Sequence, residues 1–583
     1  MNQRNVLLAV VLSAVLLLGW DALVGYLYPG ARNPAAQRVD TPAEQVAAAP
    51  AATRHSRTGG LDAATLALEK RDLKTALAGG DRIPIDAPRL AGSINLATGA
   101  IDDIVLKNYR ETVAKGSDPV RLFSPAGTPA QQFAEFGFLA NGAKLPAGPW
   151  RADGAKLTPA TPVTLSKQAG GLAYRIRFSI DDKYMLRAEQ RVDNTGAAGA
   201  VVQPYALINR TDRTASADMW TAHSGPMGAF GGDANYDVDY DTLAKEGPVS
   251  PQGRVGWTGF TDIYWLAALV PQKDAQASAG YRALGNTLYR ADLIYTPVTL
   301  APGSAVSRST QLFAGAKEMV VLDAYEAAGV PRFSFAIDWG WFRWFEKPFL
   351  WLLQTLFAFA GNFGVAIILL TIIVRAALFP IAQKGFASMA AMKAVQPKMK
   401  DIQTRFKDDK LRQQQEMQKL FKEEGVNPLA GCLPMLLQMP ILYALYKVFV
   451  LAIDMRHQPF VLWIEDLSAP DPAMILNLFG LLPFTPPSFL GIGVLAVLLG
   501  VTMWLTFKLN PAPADPVQQQ MFAIMPWVLM FAMAPFAAGL LLYWTTSNLL
   551  TIAQQKYLYA KHPQLKKAVE EERAAAKAAT QGS

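Results

Sequence analysis

Between Asn362 and Pro380 the chain runs through an apolar segment that holds one charge, Arg375, near its middle. A guanidinium does not shed its proton in proteins, so burial cannot neutralise it. Near a bilayer centre it costs about 2.5–3.5 kcal/mol on insertion scales. A chain that keeps such a charge points it at water, at a partner or at a passing substrate. The constraint is therefore a helical membrane protein with a wet or occupied feature beside this segment.

The totals agree. At 583 residues the chain is too long for one core. It is 51% hydrophobic, and its mean hydropathy of +0.15 is high for a soluble protein. The net charge of +8 does not indicate a directly bound nucleic acid. Much of the basic charge flanks apolar segments, the pattern of membrane orientation and anionic lipid. The single cysteine, Cys432, excludes an internal disulfide and a cysteine-based metal site.

Residues 1–28 carry Arg4 and then an apolar run from Val6 to Tyr28, interrupted at Asp21. A cleavable signal peptide is one reading. No small-residue cleavage site follows the run closely, which favours an uncleaved signal anchor. Residues 29–60, rich in Ala, Pro, Gln and Thr, form a flexible linker. Residues 61–331 read as a large antiparallel sandwich of short strands. Tyr174 to Ile180 alternates apolar and polar residues, Asp181 to Lys183 turns, and Tyr184 to Val192 returns as a hairpin partner. Thr287 to Tyr295 is another alternating strand. The region's one histidine, His223, lacks metal-ligand neighbours or a nucleophile motif and reads as structural.

Phe333 to Phe349 is dense in aromatics, including Trp339, Trp341 and Trp344. This suits a helix lying along a bilayer interface over 332–349, the other reading being burial against the sandwich. The expected core spans are 350–380 (stopping at Pro380), 431–452, 489–507 and a pair within 521–559. Counting the anchor, this gives six spans. The connecting segment 381–430 and the tail 560–583 are rich in Lys and Arg, whereas 453–488 holds Asp454, Glu465, Asp466 and Asp471 against Arg456. The positive-inside rule puts 381–430, the loop 508–520 and both termini in the cytoplasm, and the sandwich outside.

Residues 381–430 have a helical period. Phe386, Met389, Met392 and Met399 fall on one stripe of a basic helix that Pro397 is expected to kink. A second helix is expected to start at Asp408-Asp409 and end at Gly425. The pair forms a helical hairpin. Its methionines suit contact with varied apolar segments or lipid, and equally suit packing of the hairpin on itself.

Within the spans, Thr371 lies one turn before Arg375, Gln438 sits in a Leu-rich segment, and Thr545, Thr546, Ser547 and Asn548 lie in the last. Ordinary helix–helix hydrogen bonding accounts for the neutral groups. A shared polar cavity around Arg375 accounts for more of them together.

The motifs Thr371-Ile-Ile-Val-Arg375, Asn427-Pro-Leu-Ala-Gly-Cys-Leu-Pro434, Gln438-Met-Pro440, Trp463-Ile-Glu-Asp-Leu-Ser468 and Gly539-Leu-Leu-Leu-Tyr543-Trp-Thr-Thr-Ser-Asn548 span about 335–560 in order. Together they resemble the YidC/Oxa family of membrane protein insertases, in its Gram-negative form. The resemblance implies a polytopic α-helical protein with a five-helix insertase core, an N-terminal anchor and a periplasmic β-supersandwich. It implies insertion and folding of nascent membrane proteins, alone or with the Sec translocon, through a hydrophilic groove open to cytoplasm and lipid. The groove residues it implies are Arg375, Thr371, Gln438, Tyr543 and Trp544. Trp544 stands where many members carry a second tyrosine. Residues 477–490 look like an insertion relative to some members. The tail is only modestly basic, which weakens the expectation of a ribosome anchor; ribosome or signal-recognition receptor contacts stay open. No cofactor, metal or catalytic residue is expected.

Two other readings compete. An anion or solute transporter using Arg375 is expected to show duplicated halves, and no internal repeat is visible. A membrane-anchored carbohydrate-active sandwich leaves the polar residues of the spans unexplained.

Overall fold

The computed structural model describes residues 58–217, 221–285, 287–407, 409–425, 433–479, 482, 491–509 and 516–561. The anchor expected over 1–28 and the linker and tail calls lie outside the described residues.

The first body is two antiparallel sheets. One runs in the order Arg82–Asp86, Leu90–Asn95, Ile101–Arg110, Gln132–Ala140, Ala200–Thr211, Leu288–Tyr295, Ala277–Gly285. The other includes Gly225–Phe230, Val255–Thr261, Trp265–Val270, Ala305–Ala316, Met185–Asn194, Leu172–Ile180 and Val163–Ala169 in that order. Alternation explains the layers. In Leu172–Ile180 the apolar Tyr174, Ile176 and Phe178 are buried, while Arg175 and Arg177 face solvent. Its hairpin partner Met185–Asn194 pairs with Ile180 opposite Leu186. Inner faces interlock through Phe136 edge-on to Phe178 at 5.6 Å and Phe138 against Tyr174 at 5.2 Å. Buried Gln190 bridges the sheets, its amide donating to the Gly137 and Tyr205 carbonyls. Thr287 lies just before its strand with φ +64°, in the turn itself.

The helices in chain order are α1 (Ala63–Ala78), α2 (Tyr240–Glu246), α3 (Met319–Ala327), α4 (Arg343–Ala360), α5 (Phe363–Arg405), α6 (Lys410–Glu423), α7 (Leu433–Leu451), α8 (Val494–Leu509), α9 (Pro516–Met533) and α10 (Ala538–Lys561). From α5 onward all but α6 are apolar. One described segment, Phe363–Gly385, is both long and apolar enough to cross a bilayer. Leu437–Leu451, Val494–Leu509 and Gln520–Met533 are apolar but shorter.

The structure differs from the sequence reading in two places. The interfacial helix does not occupy 332–349. Phe333, in a short 3-10 turn, and Trp339, the cap of the next one, are fully buried, with Phe333 edge-on to Trp257 of the sandwich. The helix with outward aromatics is α4, where Trp344, Trp351 and Phe359 are exposed. Nor does the helix after it stop at Pro380: α5 continues through Pro380 and Pro397 to Arg405. A proline removes one backbone donor and crowds the preceding turn, but it bends a helix that is otherwise well supported without ending it.

The true break comes earlier. Gly361 closes α4 with φ +66°, and the Asn362 side chain accepts from the Val365 N–H to cap α5. The Asn362 amide donates to the Phe460 carbonyl at 3.2 Å, tying this corner to the loop after α7. Gly364 is required there, because a Cβ would meet the Phe460 ring at 2.0 Å. The α5–α6 corner is capped by Asp409, which accepts from the Arg412 N–H, and closed by a small cluster of Val395 and Leu420 with Met399, Ile402 and Met417.

Candidate functional site

α10 packs against both α5 and α8, and more lightly against α7. These contacts bring the polar side chains of the apolar helices together. Arg375, on α5, is half-buried. Its Nε donates to the Ser547 hydroxyl on α10 at 2.9 Å, and one terminal nitrogen donates to the same oxygen. Among the described residues no carboxylate pairs with Arg375. A guanidinium has five N–H donors, so a neutral hydroxyl positions this charge without neutralising it.

One turn before Ser547 on the same face of α10 stands Tyr543, fully buried. Its hydroxyl accepts from the Gln438 amide of α7 at 2.6 Å and also pairs with Ser547. One turn of α10 thus fastens α5 and α7 through a continuous polar seam: Arg375, Ser547, Tyr543, Gln438. A second fastening follows at Asn548, whose amide donates to Thr502 of α8 at 3.2 Å.

The sequence-derived residues do not all join this seam. Thr371 is fully buried, and its hydroxyl donates back to the Ile367 carbonyl of its own helix at 2.6 Å, so it offers no free donor one turn from Arg375. Trp544 is half-buried and packs against the apolar core beside Tyr543. Ser547, which the sequence places among ordinary helix–helix hydroxyls, is the direct partner of Arg375. Its place one turn after Tyr543 is the one sequence signal that marks it. Of the hairpin candidates, Met399 packs on the Val395–Leu420 cluster inside the hairpin. The side chains of Phe386, Met389 and Met392 lie outside the described residues. His223 is buried where the sandwich meets the membrane helices. Its ring shares a 2.9 Å hydrogen bond with the Pro226 carbonyl, and its N–H donates to Asp338.

The loop after α7 is organised by two carboxylates. Asp466 accepts from the His457 N–H and from the Ser468 N–H and hydroxyl. Asp471 accepts from the Trp463 indole, the Ala473 N–H and the Leu495 N–H in the first turn of α8. The Trp463 to Ser468 motif is therefore a folding device at the end of the helices that faces the sandwich. Arg456 reaches from the same loop to the sandwich, donating to the Arg110 and Glu111 carbonyls and lying over the Trp265 ring.

Among known proteins, residues 82–352 match the family model described as YidC periplasmic domain, and 355–566 match that of the 60Kd inner membrane protein. A membrane protein insertase YidC of Zymomonas mobilis is 42% identical over 569 residues, covering 96% of each chain. The chain belongs to the YidC membrane protein insertase family. A relative of the same name from Rhizobium johnstonii is likewise 42% identical, over 591 residues and 96% of each chain. An active YidC insertase crystal structure with its first transmembrane domain resolved is 17% identical, with a TM-score of 0.36, covering 84% of this chain and 97% of that one. The antiparallel sandwich is thus the family's periplasmic domain.

Proposed function

We propose that this chain is a membrane protein insertase of the bacterial inner membrane, and not an enzyme. The observation that carries the reading is Arg375, held by Ser547 with no carboxylate partner among the described residues, in a chain whose relatives over nearly its whole length are insertases. Those relatives leave the transporter alternative without support.

In this reading the helices α5 and α7–α10, with the N-terminal anchor, make six spans. Both termini and the α5–α6 hairpin are cytoplasmic, and the sandwich is periplasmic. The shorter apolar helices fit a bilayer locally thinned around the site. A nascent protein's polar outer segment enters beside the Arg375–Ser547–Tyr543–Gln438 seam, and the guanidinium attracts its acidic groups in a partly dehydrated setting. The client's apolar helix then moves sideways into lipid, where each Leu or Ile contributes about 0.3–0.6 kcal/mol. Twenty such residues offset a few charges in transit, so no nucleotide is needed. The hairpin recruits and releases clients. The Sec translocon is the expected larger partner, with the ribosome or the signal-recognition receptor as further candidates on the cytoplasmic side.

The test is insertion of a short single-span client with an acidic outer tail into vesicles holding wild type, Arg375→Lys or Arg375→Ala, read by protease protection of the tail. Lys is expected to support insertion and Ala to fail, with a neutral-tailed client tolerating Ala. Equal protection by Ala and wild type for the acidic client would remove the electrostatic role.

A further inference from the structure

A row of buried and half-buried charges of alternating sign crosses from the sandwich into the helices. In the sandwich the Arg210 guanidinium pairs with Asp262, both buried. Asp262 also accepts from the Ser216 N–H and the Ser224 hydroxyl. Lys317 follows, fully enclosed, donating to Thr261 at 3.1 Å and to the Ala336 carbonyl at 3.0 Å; it is attracted by both Asp262 and Asp338. Asp338, in the connector to α4, accepts from the His223 N–H. Next is buried Lys447 of α7, attracted by Asp338 and Glu346. Its Nζ lies 3.5 Å from where a Cβ on Gly340 would stand, at a backbone φ of +61° that already favours glycine. The row ends at Glu346 in the first turn of α4. Glu346 has no exposed surface, and neither of its oxygens has a hydrogen-bond partner among the described residues.

An ionised carboxylate with no donor is unstable in such a place, whereas the neutral acid is tolerated. Burial is the largest influence and pushes Glu346 up to about 8; Lys447 opposes it and Asp338 reinforces it. The ionisable groups facing Glu346 are Lys447 and Tyr443 from α7 and Asp338 from the connector. α5, which also packs on α4, adds none among the described residues. The turn that carries Glu346 is fixed to the sandwich side. Arg343 donates to the Ser334 hydroxyl at 2.6 Å, and Lys347 pairs with Asp323 at 2.8 Å. Whatever frees Glu346 from α7 therefore frees α4 and the sandwich together.

We propose that Glu346 is a proton-operated latch between the sandwich-bound turn of α4 and α7, closed when Glu346 is neutral and released when alkaline conditions outside the membrane ionise it. With Glu346 neutral, Lys447 and Asp338 balance each other and the junction stays dry. Ionisation adds a charge that only water or a moved Lys447 can solvate. The sign follows from linkage: a carboxyl raised from 4.5 to about 8 in the folded state gives a contribution fully present below pH 4.5 and lost as pH rises through 8.

The experiment is hydrogen exchange of the full chain in lipid nanodiscs from pH 6 to 9.5, corrected for intrinsic exchange, following residues 337–350 and 440–451. In wild type the opening constant of both segments is expected to rise about tenfold per pH unit up to a midpoint near 8 and to level off above it. Glu346→Gln is expected to stay protected throughout, and Lys447→Met to move the midpoint upward, because its charge opposes the shift. A flat wild-type profile, an unmoved midpoint in Lys447→Met, or the same alkaline opening in Glu346→Gln would each overturn the latch. If Glu346→Gln does not fold, the Lys447→Met midpoint decides alone. Client insertion by the same nanodisc preparations at pH 7, after transfer to vesicles, reports on the insertase reading separately.

Discussion

Arg375 and Tyr543 show how far a single position can be read. A lone charge in an apolar run has few physical outcomes, so Arg375 stands out from the sequence alone. Its partner does not. A hydroxyl in an apolar helix can bond its own carbonyl four residues back, as Thr371, Thr502 and Thr551 do, or bond across to another helix, as Ser547 does with Arg375. Nothing local separates these cases; the packing of α5 on α10 decides. The same packing gives Tyr543 a measurable weight. Tyr543→Phe removes the acceptor for the Gln438 amide and leaves that amide without a partner. Interhelical hydrogen bonds of this kind contribute about 0.6–1.7 kcal/mol, so thermal unfolding in detergent is expected to shift down modestly. Adding Gln438→Leu is expected to recover part of the loss, because both polar partners are then gone. Additive losses in the double variant would mean that the two side chains are not coupled.

Elements with a clear period were legible, and those fixed by long-range contacts were not. The 172–194 hairpin follows from alternation, and the α6 N-cap from Asp409. Aromatic density over 333–349 cannot distinguish a membrane interface from a domain junction. The structure uses both, burying Trp339 and exposing Trp344. The start of α8 is another long-range case, because its first turn is capped from Asp471, far earlier in the chain. Asp471 is buried and satisfies three donors from three places. Truncation to alanine leaves those donors without their acceptor, at about 1–3 kcal/mol for a buried group. Asp471→Ala is expected to lower the unfolding temperature and to open the loop after Arg456 to protease. Asp471→Asn, which keeps one oxygen, is expected to fall between. Wild-type protease resistance in the alanine variant would show that the loop is held by its apolar contacts instead.

At the scale of the molecule, two parts of different construction share one continuous buried core. The sandwich feeds it from both sheets and holds its own buried ion pair in Arg210–Asp262. The polar seam at Arg375 is built wholly from α5, α7 and α10. Polar contacts that join the two include Arg456 on the Arg110 and Glu111 carbonyls, Thr221 with Tyr446, and the charged row through Asp338. Removing residues 61–320 takes away the sandwich sheets and the partners of Arg456 and Tyr446. It leaves Asp338, Lys447, Glu346 and every member of the seam. Arg456 and Tyr446 lie near the surface of the helical body and can be met by water, so the loss there is small. The shortened chain, reconstituted in vesicles, is therefore expected to insert the short acid-tailed client at close to the full chain's rate and to keep its dependence on Arg375. Its α4 turn keeps Asp323 and Ser334 as partners but loses the sandwich behind them, and is expected to exchange faster at every pH. A folded deletion variant that cannot insert the client would move the essential chemistry into the sandwich, and the seam around Arg375 would then be a packing feature of the helices.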